Sequence, residues 1–137
     1  MTPVQEEPIQ LTEVDHARLM VLVRRAGTSE VDARLDEELE RAVVVPSTAI
    51  PPNVVTMNSR FTFVDVQTDV ATSVQLVYPS DADATRGKLS VFAPMGAALL
   101  GLSVGQSIAW VLPNGRKRTV RVTSVDYQPE AAGDWHL

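Results

Sequence analysis

Apolar positions recur at helical spacing through the first third of the chain and mostly alternate with polar ones through the rest. From Val14 to Ala26 the apolar residues Val14, Leu19, Val21, Leu22 and Val23 are interleaved with polar ones. Thr12 suits the N-cap of this segment. Glu13 and Asp15 in the first turn and Arg24 and Arg25 in the last match the helix dipole. Gly27 is placed to end it. Thr28 or Ser29 can cap a second helix from Glu30 to about Val43, with an apolar stripe of Val31, Leu35, Leu39 and Ala42. A link this short forces the two helices antiparallel. Each should be about 20 Å long at 1.5 Å per residue.

After the helices the period changes to two. Met1 to Leu11 reads as a tail or an extended entry strand. Val43 to Pro52 reads as a hinge, because its prolines cannot continue a helix. Short strands are predicted at Val54 to Asn58, Ser59 to Asp65 and Ser73 to Tyr78, with Phe61 and Phe63 on one face. A polar loop, Ser80 to Gly87, leads to a strand from Lys88 to Phe92. Pro94 ends that strand and suits the first turn of a short apolar helix, Met95 to Leu100. Gly101 fits its C-terminal turn. Gly105 precedes the strand from Ile108 to Leu112, and Leu112-Pro113-Asn114-Gly115 is a hairpin turn. The last strand, Arg116 to Tyr127, puts Val120, Val122 and Ser124 on one face and Lys117, Thr119 and Arg121 on the other. The tail, Gln128 to Leu137, is rich in turn formers. The fold class is α+β: a helix pair in residues 1–45, a proline-rich hinge at 46–53, and a small antiparallel sheet curled over one short helix in 54–137.

Composition narrows the function classes. The 137 residues contain no cysteine, which excludes disulfides and thiolate metal sites. The start, MTPVQEEPIQ, lacks a signal-peptide pattern, and no apolar run approaches the ~20 residues that span a bilayer. A cytoplasmic, monomeric protein without membrane contact is expected. The net charge of −5 sits entirely in the first 45 residues, which hold five bases and ten acids, whereas the remainder holds seven of each. Such an appendage argues against direct DNA binding, which needs phosphate-neutralising bases, and suits a partner with a basic cleft.

Chemistry-bearing residues are few. His16 and His136 have no partner spacing, so neither reads as a metal ligand. Gly96, Gly101 and Gly105 read as caps and turns rather than a phosphate loop. Glu30 and Asp32, beside Thr28 and Ser29 at the tip of the helix pair, could share a Mg²⁺ ion or simply answer the helix dipole. Arg116, Lys117, Arg118 and Arg121 alternate faces on a strand, which favours a solvated hairpin over one phosphate-binding patch.

VVTMNSRF, LSVFAPMGAALLGLSVGQSIAWVLPNG and the tail VDYQPEAAGDWHL resemble the Rnk family, regulators of nucleoside diphosphate kinase related to the Gre transcription elongation factors. The resemblance covers nearly the whole chain. It implies an N-terminal antiparallel coiled coil joined to an FKBP-like C-terminal domain. It also implies a non-enzymatic, cofactor-free regulator that binds RNA polymerase near its secondary channel in competition with Gre factors. The family's docking loop corresponds here to Ala93-Pro94-Met95-Gly96. Pro94 and Gly96 match the Gre pattern, and Ala93 replaces the usual serine. Gre factors use acids at the tip of a much longer coiled coil to promote transcript cleavage with Mg²⁺. The tip here, GTSEVD, lacks that motif. The rival expectations are a cleavage factor acting through Glu30 and Asp32, and a direct modulator of nucleoside diphosphate kinase. With only 5% aromatic residues to line a proline pocket, no isomerase activity is expected.

Overall fold

The computed structural model describes residues 9–26, 30–111 and 114–134, with the side chains of all of these except 26, 30–34, 110 and 111. The chain enters through a short strand, β1 (Gln10–Thr12), and runs directly into α1 (Glu13–Ala26). Thr12 caps α1 as predicted, its Oγ1 accepting the Asp15 N–H at 3.1 Å. The second helix, α2 (Glu30–Arg41), returns beside the first. His16 Nε2 donates to the Leu39 carbonyl at 3.0 Å, which places the start of α1 beside the end of α2 and makes the pair antiparallel.

Two expectations about this region are corrected. Val43–Val45 is not the start of a hinge. It forms β2, which pairs in parallel with β1, Gln10 opposite Val43 and Thr12 opposite Val45. Three consecutive β-branched residues favour that extended ladder. The buried stripe of α1 also differs from the predicted one. Leu19 and Val23 are buried, but Val14 and Val21 are exposed, and Asp15 occupies the inward position one turn before Leu19.

Beyond Pro46 a 3₁₀ turn, Ser47–Ala49, and an irregular segment lead to the sheet. The strand expected at Val54 to Asn58 is reduced to a single bridge between Val54 and Ser103. The sheet comprises β3 (Arg60–Asp65), β4 (Val70–Val77), β5 (Lys88–Ser90), β6 (Ser107–Val111) and β7 (Lys117–Tyr127), in spatial order β5-β4-β3-β7-β6. It is mixed rather than purely antiparallel, because β5 pairs in parallel with β4. Between those two strands the chain doubles back through 3₁₀ turns at Pro79–Asp81 and Ala84–Arg86. The short helix α3 (Pro94–Leu99) follows β5, and a one-turn helix, α4 (Pro129–Ala132), lies in the tail read as rich in turn formers.

The register of β7 on β3 slips twice. Phe63 faces Val122, Thr62 faces Ser124, Phe61 faces Val125 and Arg60 faces Tyr127, so Thr123 and Asp126 are extra residues. Bulges of this kind invert the alternation downstream. Val125 therefore packs on the core. Ser124, predicted to share the face of Val122, instead hydrogen-bonds Asp126.

One apolar cluster spans both parts of the molecule. It joins Leu11 of β1, Leu19 and Val23 of α1, and Leu35 and Leu39 of α2 to Phe61, Leu76, Leu99, Val120 and Val122 of the body. Phe61 and Phe63 stand 6.2 Å apart between ring centres. Close approach is enforced at Gly101, whose φ is +78° and where a Cβ would lie 2.5 Å from the Cβ of Ile9. That glycine lets the entry strand lie against the end of α3, with the Gln10 N–H directed at the Gly101 carbonyl at 3.4 Å.

Candidate docking surface

The four residues Ala93, Pro94, Met95 and Gly96 lie in one bend between β5 and α3. Ser90 organises it. Its Oγ accepts the Phe92 N–H at 3.0 Å, and its carbonyl accepts the Ala93 N–H at 3.0 Å. Ala93 is extended, with φ −69° and ψ 147°, and precedes α3 without a side-chain cap. Pro94 occupies the first helical turn and is exposed, Ala93 and Met95 are half-buried, and Gly96 is buried. A Cβ at Gly96 would lie 2.1 Å from the Ser90 carbonyl oxygen and 3.1 Å from the Val91 Cα. The glycine therefore lets α3 sit directly on the strand that precedes it, and this presents Pro94 outward on a fixed backbone.

The tip of the helix pair is separate from this bend. Thr28 and Ser29 lie outside the described residues. Glu30 and Asp32 open α2, and their side chains lie outside the described set. Glu30 begins α2 one helix length, roughly 20 Å, before β2. Among the described residues no group of three or more histidine, cysteine, aspartate or glutamate side chains could hold a metal ion. His16 serves the helix-pair contact described above, and His136 lies outside the described residues. Arg118, predicted as part of the basic hairpin, pairs with Asp65 at 2.7 Å, while Arg116, Lys117 and Arg121 are exposed.

A polar seam joining the helix pair to the body was not predicted. Asp15, 3% exposed, accepts the Met57 N–H through Oδ2 at 3.0 Å. Burial raises its pKa to about 6, against the lowering effect of that hydrogen bond and of nearby Arg18. The Tyr78 hydroxyl is raised as well, first by burial and then by the Asp15 charge. Behind Met57, Thr56 Oγ1 donates to Glu130 of α4 at 2.7 Å and contacts Ser59 Oγ at 2.8 Å. Gln128 Nε2 donates to the carbonyls of Pro51 and Val54 at 2.8 and 2.9 Å. The irregular segment before β3 is thus pinned from one side by α1 and from the other by the C-terminal turn. One sequence signal was available: Asp15 is four residues before Leu19 and eight before Val23, on the face those residues bury.

The helix pair and the five-stranded sheet with its short helix form an α+β module with Gre-type fold neighbours. The family model described as "Transcription elongation factor, GreA/GreB, C-term" matches residues 50–127, and the one described as "Rnk N-terminus" matches residues 7–45. The chain is 42% identical over 132 residues to the Regulator of nucleoside diphosphate kinase of Escherichia coli strain K12, covering 94% of this chain and 96% of that one. It belongs to the family of regulators of nucleoside diphosphate kinase and carries a GreA/GreB C-terminal domain. It is also 32% identical over 92 residues to transcription elongation factor GreA of Staphylococcus aureus strain Newman, which covers 67% of this chain but 58% of that protein. Among solved structures, a prokaryotic transcription elongation factor GreA/GreB from Nitrosomonas europaea superimposes with a TM-score of 0.73 at 38% identity, covering 90% of this chain and all of that one. No helix among the described residues is long and apolar enough to cross a membrane.

Proposed function

We propose that this protein is a non-enzymatic regulator of transcription elongation that binds RNA polymerase near its secondary channel, competes there with Gre factors and does not promote transcript cleavage. The observation that carries this reading is the bend at Ala93–Gly96: an exposed proline held on a glycine-locked backbone, within a domain that matches the GreA/GreB C-terminal family. In this reading residues 54–137 form an FKBP-like docking body. Residues 1–45 form a short counterpart of a Gre coiled coil, and 46–53 connect the two. Helices of only 14 and 12 residues support this reading, in which Glu30 and Asp32 stay short of the polymerase metal. The protein works as a cytoplasmic monomer, without sequence-specific DNA contact and without a cofactor.

The test is displacement of labelled GreA from core RNA polymerase by the purified protein. Competitive displacement is expected, and Pro94→Glu should weaken it by at least about tenfold, a loss of roughly 1.4 kcal/mol. Thermal unfolding should be nearly unchanged, because Pro94 is exposed. Backtracked complexes should not be shortened. Failure to displace GreA at micromolar concentration, or Gre-like transcript shortening, would overturn the reading. The name of the Escherichia coli relative supports a second reading, direct action on nucleoside diphosphate kinase. Capture of that kinase by the purified protein in the absence of polymerase would favour it.

A further inference from the structure

Away from the Pro94 bend, an open cleft of about 610 Å³ lies against the start of β3, the middle of β4 and the end of β7. Three cations line it, Arg60 of β3, Arg86 of the turn before β5 and Lys88 of β5, against one carboxylate, Asp126. Within the lining, cations outnumber the carboxylate three to one, on a chain of net charge −5, and a cationic lining favours an anionic ligand.

The acids nearby stay charged, but each is held by hydrogen bonds within the fold. Asp126, the second bulge residue of β7, accepts from Thr62 Oγ1 at 3.0 Å and from Ser124 Oγ at 2.9 Å. Asp83 accepts from the hydroxyl and the N–H of Thr85 at 2.6 and 3.0 Å, which holds its carboxyl below the usual range. Its contact with Arg86 is long, 3.6 Å, and the Arg86 side chain remains 76% exposed. One wall of the cleft is aromatic. The guanidinium of Arg60 lies 4.9 Å from the centre of the Tyr127 ring, and the Tyr127 hydroxyl donates to Asp134, which fixes the ring. The bulge at Asp126 brings Tyr127 opposite Arg60.

We propose that this cleft binds a phosphorylated nucleoside, with Arg86 and Lys88 on the phosphate oxygens and the base stacked on the Arg60–Tyr127 pair. Arginine and lysine are the side chains that hold phosphate by charge-assisted hydrogen bonds. A guanidinium against a tyrosine ring forms a flat platform that accepts any base. The same chemistry is offered by a free nucleoside diphosphate and by the phosphorylated end of a single RNA strand.

Calorimetry on the full chain, without polymerase, separates these possibilities and is independent of the docking reading above. The probes are ADP, adenosine, pyrophosphate and a short 5′-phosphorylated oligoribonucleotide. Saturable binding of ADP is expected, with adenosine and pyrophosphate each weaker by at least about tenfold. Arg60→Ala and Lys88→Ala should each weaken ADP by a similar factor, whereas Arg24→Ala on α1 should not. An oligoribonucleotide that binds more tightly than ADP, and loses affinity with the same substitutions, assigns the cleft to a strand end. ADP binding at least as tight assigns it to the free nucleotide. Absence of saturation by both ADP and the oligoribonucleotide at millimolar concentration overturns the proposal. So does binding that the Arg60 and Lys88 substitutions leave intact, or pyrophosphate binding as tight as ADP.

Discussion

At the scale of single residues, Asp15 and Gly96 carry the sharpest expectations. Asp15 holds its proton to about pH 6 in the folded state because burial penalises the carboxylate, whereas an unfolded aspartate releases it near pH 3.8. Between those values the folded state binds more protons than the unfolded chain. This group's contribution is therefore fully present below about pH 4 and is lost as the pH rises through 6, a change of roughly 3 kcal/mol. Urea unfolding of wild type and Asp15→Asn from pH 4 to 7 isolates it, since the other carboxylates cancel in the difference. The asparagine variant should gain on wild type as the pH rises, and parallel curves would refute the assignment. Gly96 tests the bend. Helix propensity alone would make Gly96→Ala stabilising by about 1 kcal/mol. The backbone contact with Ser90 makes it destabilising, by about 2 kcal/mol or more. The sign of the shift in thermal midpoint decides between them. Helical propensity and the proline at the first turn were both legible in the sequence around Gly96. The clash was not, because it depends on how α3 folds back on Ser90.

At the scale of elements, the helix pair is built on few buried side chains. Leu39 is 1% exposed and belongs to the cluster shared with the body. Leu39→Ala should cost about 2–5 kcal/mol, measured by denaturant unfolding in a single transition. Two separate transitions would show that the helix pair melts independently of the sheet. Both helices, their antiparallel order and the Leu35–Leu39 stripe could be read from spacing, and the Thr12 cap from residue type. The strand at Val43–Val45 could not, because parallel pairing with Gln10–Thr12 is a contact across more than thirty residues that no local pattern announces. The bulges in β7 are equally silent in sequence: Val120 to Ser124 alternates well, and only the pairing with β3 reveals that Thr123 and Asp126 are extra.

At the scale of the whole molecule, the sequence divides the charge cleanly and the fold joins what the charge divides. The acidic first third and the balanced remainder were plain in the composition. The Asp15–Met57 hydrogen bond and the shared apolar cluster that fasten one to the other were not. The candidate loop was legible through its motif, whereas the cleft at Arg60, Arg86, Lys88 and Tyr127 gathers residues from four distant stretches and leaves no trace in local spacing. The parallel pairing of β1 with β2 has a consequence for how such proteins vary. Because the strands before α1 and after α2 are stitched side by side, the helix pair is a plug-in cassette whose socket is already closed. Whole turns can be added to both helices or removed from them without altering the frame that holds them, so reach becomes a dial that can be reset while the sheet and its short helix stay as they are.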